Sequence, residues 1–155
     1  MVRMRIISLL IAIVALGAGS ALAAVVYEAD LMPELVMPGS GASAYGQATL
    51  IVNDAGTLAD LTLNFVGLDT PQTAAGLLAG PNDQPGDVLE PLPMGTPLAV
   101  TFEFTAAMDE ALDNDELAIQ VYSQAWPDGA IRGNFTFVIV GVDAATWSQV
   151  KNLFD

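Results

Sequence analysis

The sequence predicts an all-β protein: an antiparallel two-layer β-sandwich with a short C-terminal helix. Three observations carry that expectation. Apolar residues alternate with polar ones in several short runs, and turn-forming residues separate those runs roughly every ten positions. Only one internal stretch has helical character, and it is too short for more than a turn or two.

The elements can be justified in chain order. Residues 1–23 read as a secretory signal: Arg3 and Arg5 form a basic start, residues 6–16 an apolar centre, and Ala21 and Ala23 a small-residue cleavage site. Cleavage is expected before Ala24; the alternative is an uncleaved anchor, because the apolar run approaches the roughly 20 residues of a spanning helix. A sandwich domain is expected over residues 24–142 and a helical tail over 143–155. In AYGQATLIV, residues 44–52, Ala48, Leu50 and Val52 share one face, and Gln47 and Thr49 share the other with Ile51. Leu61, Leu63 and Phe65 alternate with Thr62 and Asn64. Val100, Phe102 and Phe104 alternate in the same way, as do Leu117, Ile119 and Val121. NDAG at 53–56 and PDG at 127–129 read as hairpin connections, and AGPNDQPGD at 79–87 as a surface loop. TAAMDEAL at 105–112 is the internal helical stretch. The last strand is expected to run continuously, with Ile131, Phe135, Phe137 and Ile139 on one face and Val138 and Val140 on the other. Beyond it, Trp147, Val150 and Phe154 recur at helical spacing, either as a helix docked on the sandwich or as a recognition tail.

Composition excludes several functions. The chain has 155 residues, no histidine, no cysteine and a formal charge of −14. After position 5 only Arg132 and Lys151 are basic, so removal of the first 23 residues leaves two cations against 18 acids, a formal −16. Such a surface repels phosphate backbones and anionic headgroups, which makes nucleic acid and acidic membranes poor partners. Without imidazole or thiol there is no Ser/His/Asp or Cys/His nucleophile and no zinc or copper site of the usual ligands. Lacking disulfides, an exported domain of this size must rely on its core. The acids suit solubility, with cation binding as the alternative.

Four stretches together resemble the CHRD domain family, a module of chordin and of many exported microbial proteins. Residues 27–50, YEADLMPELVMPGSGASAYGQATL, are similar to the family's opening strand and the segment after it. Residues 61–81 have the shape of its "GL…TAAHIHGP" stretch, and residues 98–112 of its middle strand and turn. LAIQVYSQAWPDGAIRGNF, residues 117–135, resembles the closing "VNVHT…HPxGEIRGQ" motif and is the most specific of the four. The chain departs from the family at Gly76, Leu77 and Leu78 in place of H-x-H, at Tyr122 and Trp126 in place of later histidines, and at Ala130 in place of an acid. The resemblance implies an antiparallel immunoglobulin-like (Greek-key) or related β-sandwich in an extracellular setting, with no established catalytic activity. A ligand held by those histidines does not carry over to this chain.

Candidate residues follow. Pro127, Gly129, Ile131, Arg132 and Gly133 form the structural motif. The Arg132 guanidinium is expected to lie in solvent or to reach an acid or loop carbonyls, with Glu103 as one partner; a structural role is favoured over anion binding. Tyr122 and Trp126 either fill a former polar pocket or form an aromatic patch for a protein or glycan. Asp83, Asp87, Asp113 and Asp115 are weak calcium candidates, because neither acidic loop has a diagnostic ligand spacing. The sequon at Asn134 falls in a predicted strand and is read as accidental. No catalytic residue and no cofactor is expected. The function expected is an exported, non-enzymatic binding or structural module with an unknown extracellular protein or glycan partner. A calcium-dependent adhesion module is the alternative. A carboxylate hydrolase, remote, would need two acids facing one cleft.

Export has a direct readout. Intact-mass measurement of the secreted protein is expected to match a chain beginning at Ala24; a mass retaining residues 1–23 would defeat the cleaved-signal reading.

Overall fold

The computed structural model describes residues 24–81 and 84–138. The N-terminal segment, Asp83, and the tail with its expected helix lie outside the described residues.

Among the described residues, nine strands form two antiparallel sheets. The first sheet contains β1 (Val25–Leu31), β2 (Tyr45–Val52), β3 (Leu58–Val66), β6 (Leu98–Glu103) and β9 (Thr136–Phe137), in the order β6-β3-β2-β1-β9. The second contains β4 (Gln72–Ala79), β5 (Asp87–Leu92), β7 (Leu117–Ser123) and β8 (Ile131–Asn134), in the order β5-β4-β7-β8. β6 returns beside β3, and β7 beside β4. These returns between sheets give Greek-key connectivity to the expected β-sandwich.

Alternation does the packing. Along β3, Ala59, Leu61, Leu63 and Phe65 are buried while their neighbours are exposed. Register places Leu61 opposite Leu50 on one side and Val100 on the other, so the apolar rows meet across the sheet. Leu77, Ile119, Val121 and Ile131 supply the facing layer of the core. Each fully buried leucine or isoleucine contributes about 2 kcal/mol. With no disulfide available, these rows carry the stability.

The turns follow their residue chemistry. Asn53 Oδ1 accepts from the Thr57 and Leu58 amides at 2.9 and 3.1 Å, and Gly56 takes φ +66°, which closes the β2–β3 hairpin read from NDAG. Thr105 Oγ1 accepts from the Met108 amide and caps α1 (Ala106–Asp113), whose Met108, Ala111 and Leu112 join the core.

Two expectations need correction. The last strand is not continuous: β8 belongs to the second sheet, the chain crosses at the buried Phe135, and β9 pairs with β1 in the first sheet. Phe137 is therefore 61 % exposed and meets Tyr27 edge-on, rather than sharing an inward face with Ile131. Sheet-crossing resets the period, because each sheet has its own inward direction. β4 also lacks a legible alternation, since Ala75, Gly76, Leu77 and Leu78 are all buried. β7 likewise has Leu117 through Val121 buried, so over these residues both strands are covered on both faces.

Gly133 marks a close approach between β8 and β1. A Cβ built there would lie 2.5 Å from the Asp30 carbonyl oxygen and 2.8 Å from its carbon, both in the β1 backbone. Gly133→Ala is expected to cost about 3 kcal/mol by forcing β8 off β1. At Gly39 the nearest such contact is 3.9 Å. Gly39→Ala serves as the control, and equal denaturation midpoints for the two variants would contradict this packing.

Candidate functional site

The outer face of the four-stranded sheet carries the residues singled out in the sequence. Gly76, Gln120 and Arg132 lie in one cross-strand row; Leu78, Ala118 and Asn134 lie in the next, and Ala74 and Tyr122 in a third. An outer face of this kind ordinarily meets water. Here Leu78, Ala118, Gln120 and Arg132 are buried, because loops fold over them.

Arg132 organises that cover. Its side chain is fully buried. One terminal nitrogen donates to the Gln84 and Pro85 carbonyls at 2.5 and 3.2 Å, and the other to the Gly80 and Pro81 carbonyls at 3.3 and 3.4 Å. A planar fork of donors suits four carbonyls converging from one loop, and an ammonium would not span them. Of the three destinations open from sequence, the structure selects loop carbonyls. Glu103 is exposed on β6 of the opposite sheet and is not a partner. Burial lowers the proton affinity of Arg132 from its ordinary value, opposed by Tyr122, while burial raises that of Tyr122, opposed by the Arg132 charge. The two side chains therefore share one electrostatic environment.

The main chain around Arg132 is pinned as firmly. Its amide donates to the Met32 carbonyl at 3.1 Å, and its carbonyl accepts from the Met32 amide at 2.9 Å. From there the segment after β1 continues over the sheet, with Val36 buried and Ser40 Oγ donating to the Ala130 carbonyl at 2.5 Å. Gln120 Nε2 donates to the Asp128 carbonyl at 2.8 Å and fixes the PDG turn. Gly129 has φ +128°, and a Cβ there would collide with the Gln120 amide and approach Val36 Cγ1 to 3.0 Å. Only glycine fits at this position. Ile131 turns into the core.

Tyr122 and Trp126 separate in role. Both are half-buried. The Trp126 ring packs near Gly41, and its Nε1 has no hydrogen-bond partner among the described residues. Tyr122 lines an open groove of about 640 Å³ with Thr73, Ala74, Gly76, Val88, Pro91, Ser123, Gln124 and Pro127. Ser123 is fully buried, and its hydroxyl also has no partner among the described residues. Tyr122 thus borders an open groove that Trp126 does not line. The groove is a walled depression left where the covering loops stop.

The family assignment follows from this arrangement and from one comparison. The model of the CHRD domain matches residues 27–135. The chain belongs to the CHRD domain family. Neither the curated proteins nor the solved structures yield a match. In this CHRD domain Gly76, Leu78 and Tyr122, which stand where the resemblance places histidines, share the outer face, while Leu77 between them points into the core. The two-residue spacing of the H-x-H positions is thus the period of a strand. Where the resemblance would set imidazoles, this chain has a glycine, a leucine and a phenol.

The remaining candidates do not converge. Asp87, Asp113 and Asp115 are exposed, and among the described residues no group of three or more acids is placed to hold a metal. A second cleft, of about 290 Å³, opens at one end of the sandwich and contains Tyr27, Asp54 and Asp109. The Tyr27 hydroxyl titrates above its ordinary value through burial and the charges of Asp109 and Asp113. Sequence reasoning missed this cleft along with Ser40, Gln120 and Ser123. A polar residue inside an apolar strand run was the available signal for Gln120; Ser40 and Ser123 had none.

Arg132→Ala would strand four loop carbonyls and leave a cavity. It is expected to destabilise the fold by about 3 kcal/mol, a fall in melting temperature of about 10 °C. Arg132→Lys should recover only part of this loss. Melting within about 2 °C of the native protein for Arg132→Ala would show that the clamp is dispensable.

Proposed function

We propose that this protein is an exported, non-enzymatic CHRD module that binds an extracellular protein or glycan through the groove beside Tyr122. One observation carries the reading. The groove is of ligand size and is walled mainly by exposed apolar groups, with Thr73, Gln124 and the Tyr122 phenol as polar members of its lining. Sites for small ligands and chain segments have this composition: apolar walls with a few polar groups that fix orientation. Its lining contains no carboxylate, and burial keeps the Tyr122 phenol protonated, which suits binding better than acid–base chemistry. The N-terminal segment with its basic start, apolar centre and small-residue end supports export.

A second reading has its own observation. Asp54 and Asp109 line one cleft, the arrangement a carboxylate hydrolase requires. Both are exposed, however, and a catalytic acid is normally withdrawn from water to hold its proton. Binding remains the better supported of the two.

The test is binding of the purified protein to an array of glycans and to fractionated proteins of its native medium. Ala74→Trp, which plugs the groove from an exposed position, and Tyr122→Ala are expected to lose about tenfold or more of any specific binding. Binding that survives both substitutions would sink the groove. Hydrolysis of an array member that disappears in Asp54→Asn or Asp109→Asn would establish the second reading instead.

A further inference from the structure

We propose a second binding site, independent of the Tyr122 groove, on the outer face of the five-stranded sheet, where Tyr45, Gln47, Asn64 and Asp30 form a subsite for a neutral polysaccharide. Asp30, Gln47 and Asn64 occupy one cross-strand row on β1, β2 and β3. Tyr45 and Val66 pair two positions along the same face. Together these five residues border a depression of about 390 Å³.

The burial pattern sets this place apart from the core. Tyr45 is 64 % exposed and Val66 54 %, on strands whose inward residues are almost wholly buried. A tyrosine that packs neither against the core nor under a loop contributes little to folding, and its ring is free to serve as a platform. Beside it stand two amides and a carboxylate, with Gln47 Nε2 donating to Asp30 Oδ1 at a long 3.4 Å that leaves most of their hydrogen-bonding capacity unused. A pyranose ring needs this combination. Its C–H face stacks on an aromatic ring, and its hydroxyls both donate and accept, as amides do.

Charge selects the class of polymer. Arg132 is the only Lys or Arg between residues 24 and 138, and it is fully buried, so the described surface presents no basic side chain. Uronic acids, sulfated glycans and phosphate polymers would meet Asp30 and the surrounding acids with no cation to compensate. A neutral chain suffers no such repulsion. The next row along the face, Thr49 opposite Thr62, continues the polar strip and gives room for more than one sugar unit.

Affinity electrophoresis in gels containing hydroxyethylcellulose, xyloglucan, galactomannan or laminarin, with polygalacturonate as the anionic control, tests the proposal. At least one neutral polymer is expected to retard the native protein and polygalacturonate to leave it unaffected. Tyr45→Ala is expected to weaken that retention about tenfold, Tyr45→Phe to keep it, and Gln47→Ala and Asn64→Ala to weaken it by lesser amounts. Melting temperatures of these variants should match the native protein, because the residues are exposed. Ala74→Trp and Tyr122→Ala should bind the polymer normally, which separates this site from the groove. No retention by any neutral polymer, or full retention in Tyr45→Ala, would overturn the assignment. So would light scattering that showed a dimer broken by Tyr45→Ala, since the face would then be a contact between two copies.

Discussion

The buried guanidinium of Arg132 is the constraint on which the second sheet depends. A cation without a carboxylate partner is costly to withdraw from water unless its donors are met; here both terminal nitrogens are met by main-chain carbonyls of residues 80–85, while Nε has no partner among the described residues. Those carbonyls belong to a loop rich in proline and glycine, which cannot pair them within a strand or helix. The arginine and the loop therefore satisfy each other: the loop supplies acceptors that have lost their ladder, and the arginine fixes the loop over Leu78 and Ala118. The Met32 bridge and the Ser40 contact with Ala130 complete the cover from the other side.

Covering both faces of a sheet has a functional consequence. Once loops lie on the outer face, the protein has a rigid floor with walls, and any place where the loops stop short becomes a groove. The Tyr122 groove is such a place. Its floor contains Gly76, and its wall includes Pro127, the first residue of the turn that Gln120 pins through the Asp128 carbonyl. Elements that stabilise the domain are the same ones that shape the groove. Among the described residues the five-stranded sheet has no comparable cover at Tyr45, which leaves that part of its outer face exposed. Two faces of one sandwich thus offer different chemistry, a walled apolar groove and an open row of hydroxyl-binding groups.

Legibility in the sequence followed the solvent. β2, β3 and β6 have one wet face, so their polar and apolar residues alternate and could be placed from pattern alone. β4 and β7 are dry on both faces over residues 75–78 and 117–121; β7 still revealed itself because Leu117, Ile119 and Val121 alternate with Ala118, Gln120 and Tyr122, but QTAAGLLA lost every sign of period two. The final strand misled for a related reason. Residues 131–137 keep an apolar alternation, yet Phe135 is the crossing point between sheets, and alternation says nothing about which sheet receives a residue. The motif around Arg132 could be read as structural because a rigid fork of donors in an acidic chain meets an intramolecular acceptor more readily than an anionic ligand. Its partners could not, since they lie roughly 50 positions away in the chain.

The sequence by itself determined the class of structure and what the protein lacks. Period-two runs, turn residues and the CHRD motifs specify an antiparallel sandwich, and the absence of histidine and cysteine removes imidazole and thiol chemistry whatever the fold. These are properties of composition and local order. Tertiary structure alone decided where the guanidinium goes, which polar residues are buried, and where a cavity opens. Each of those depends on groups distant in the chain meeting in space. The fate of Arg132 is the clearest instance: its side chain could be read from one letter, but the four carbonyls that hold it exist as a site only after two strands and a loop have folded around it.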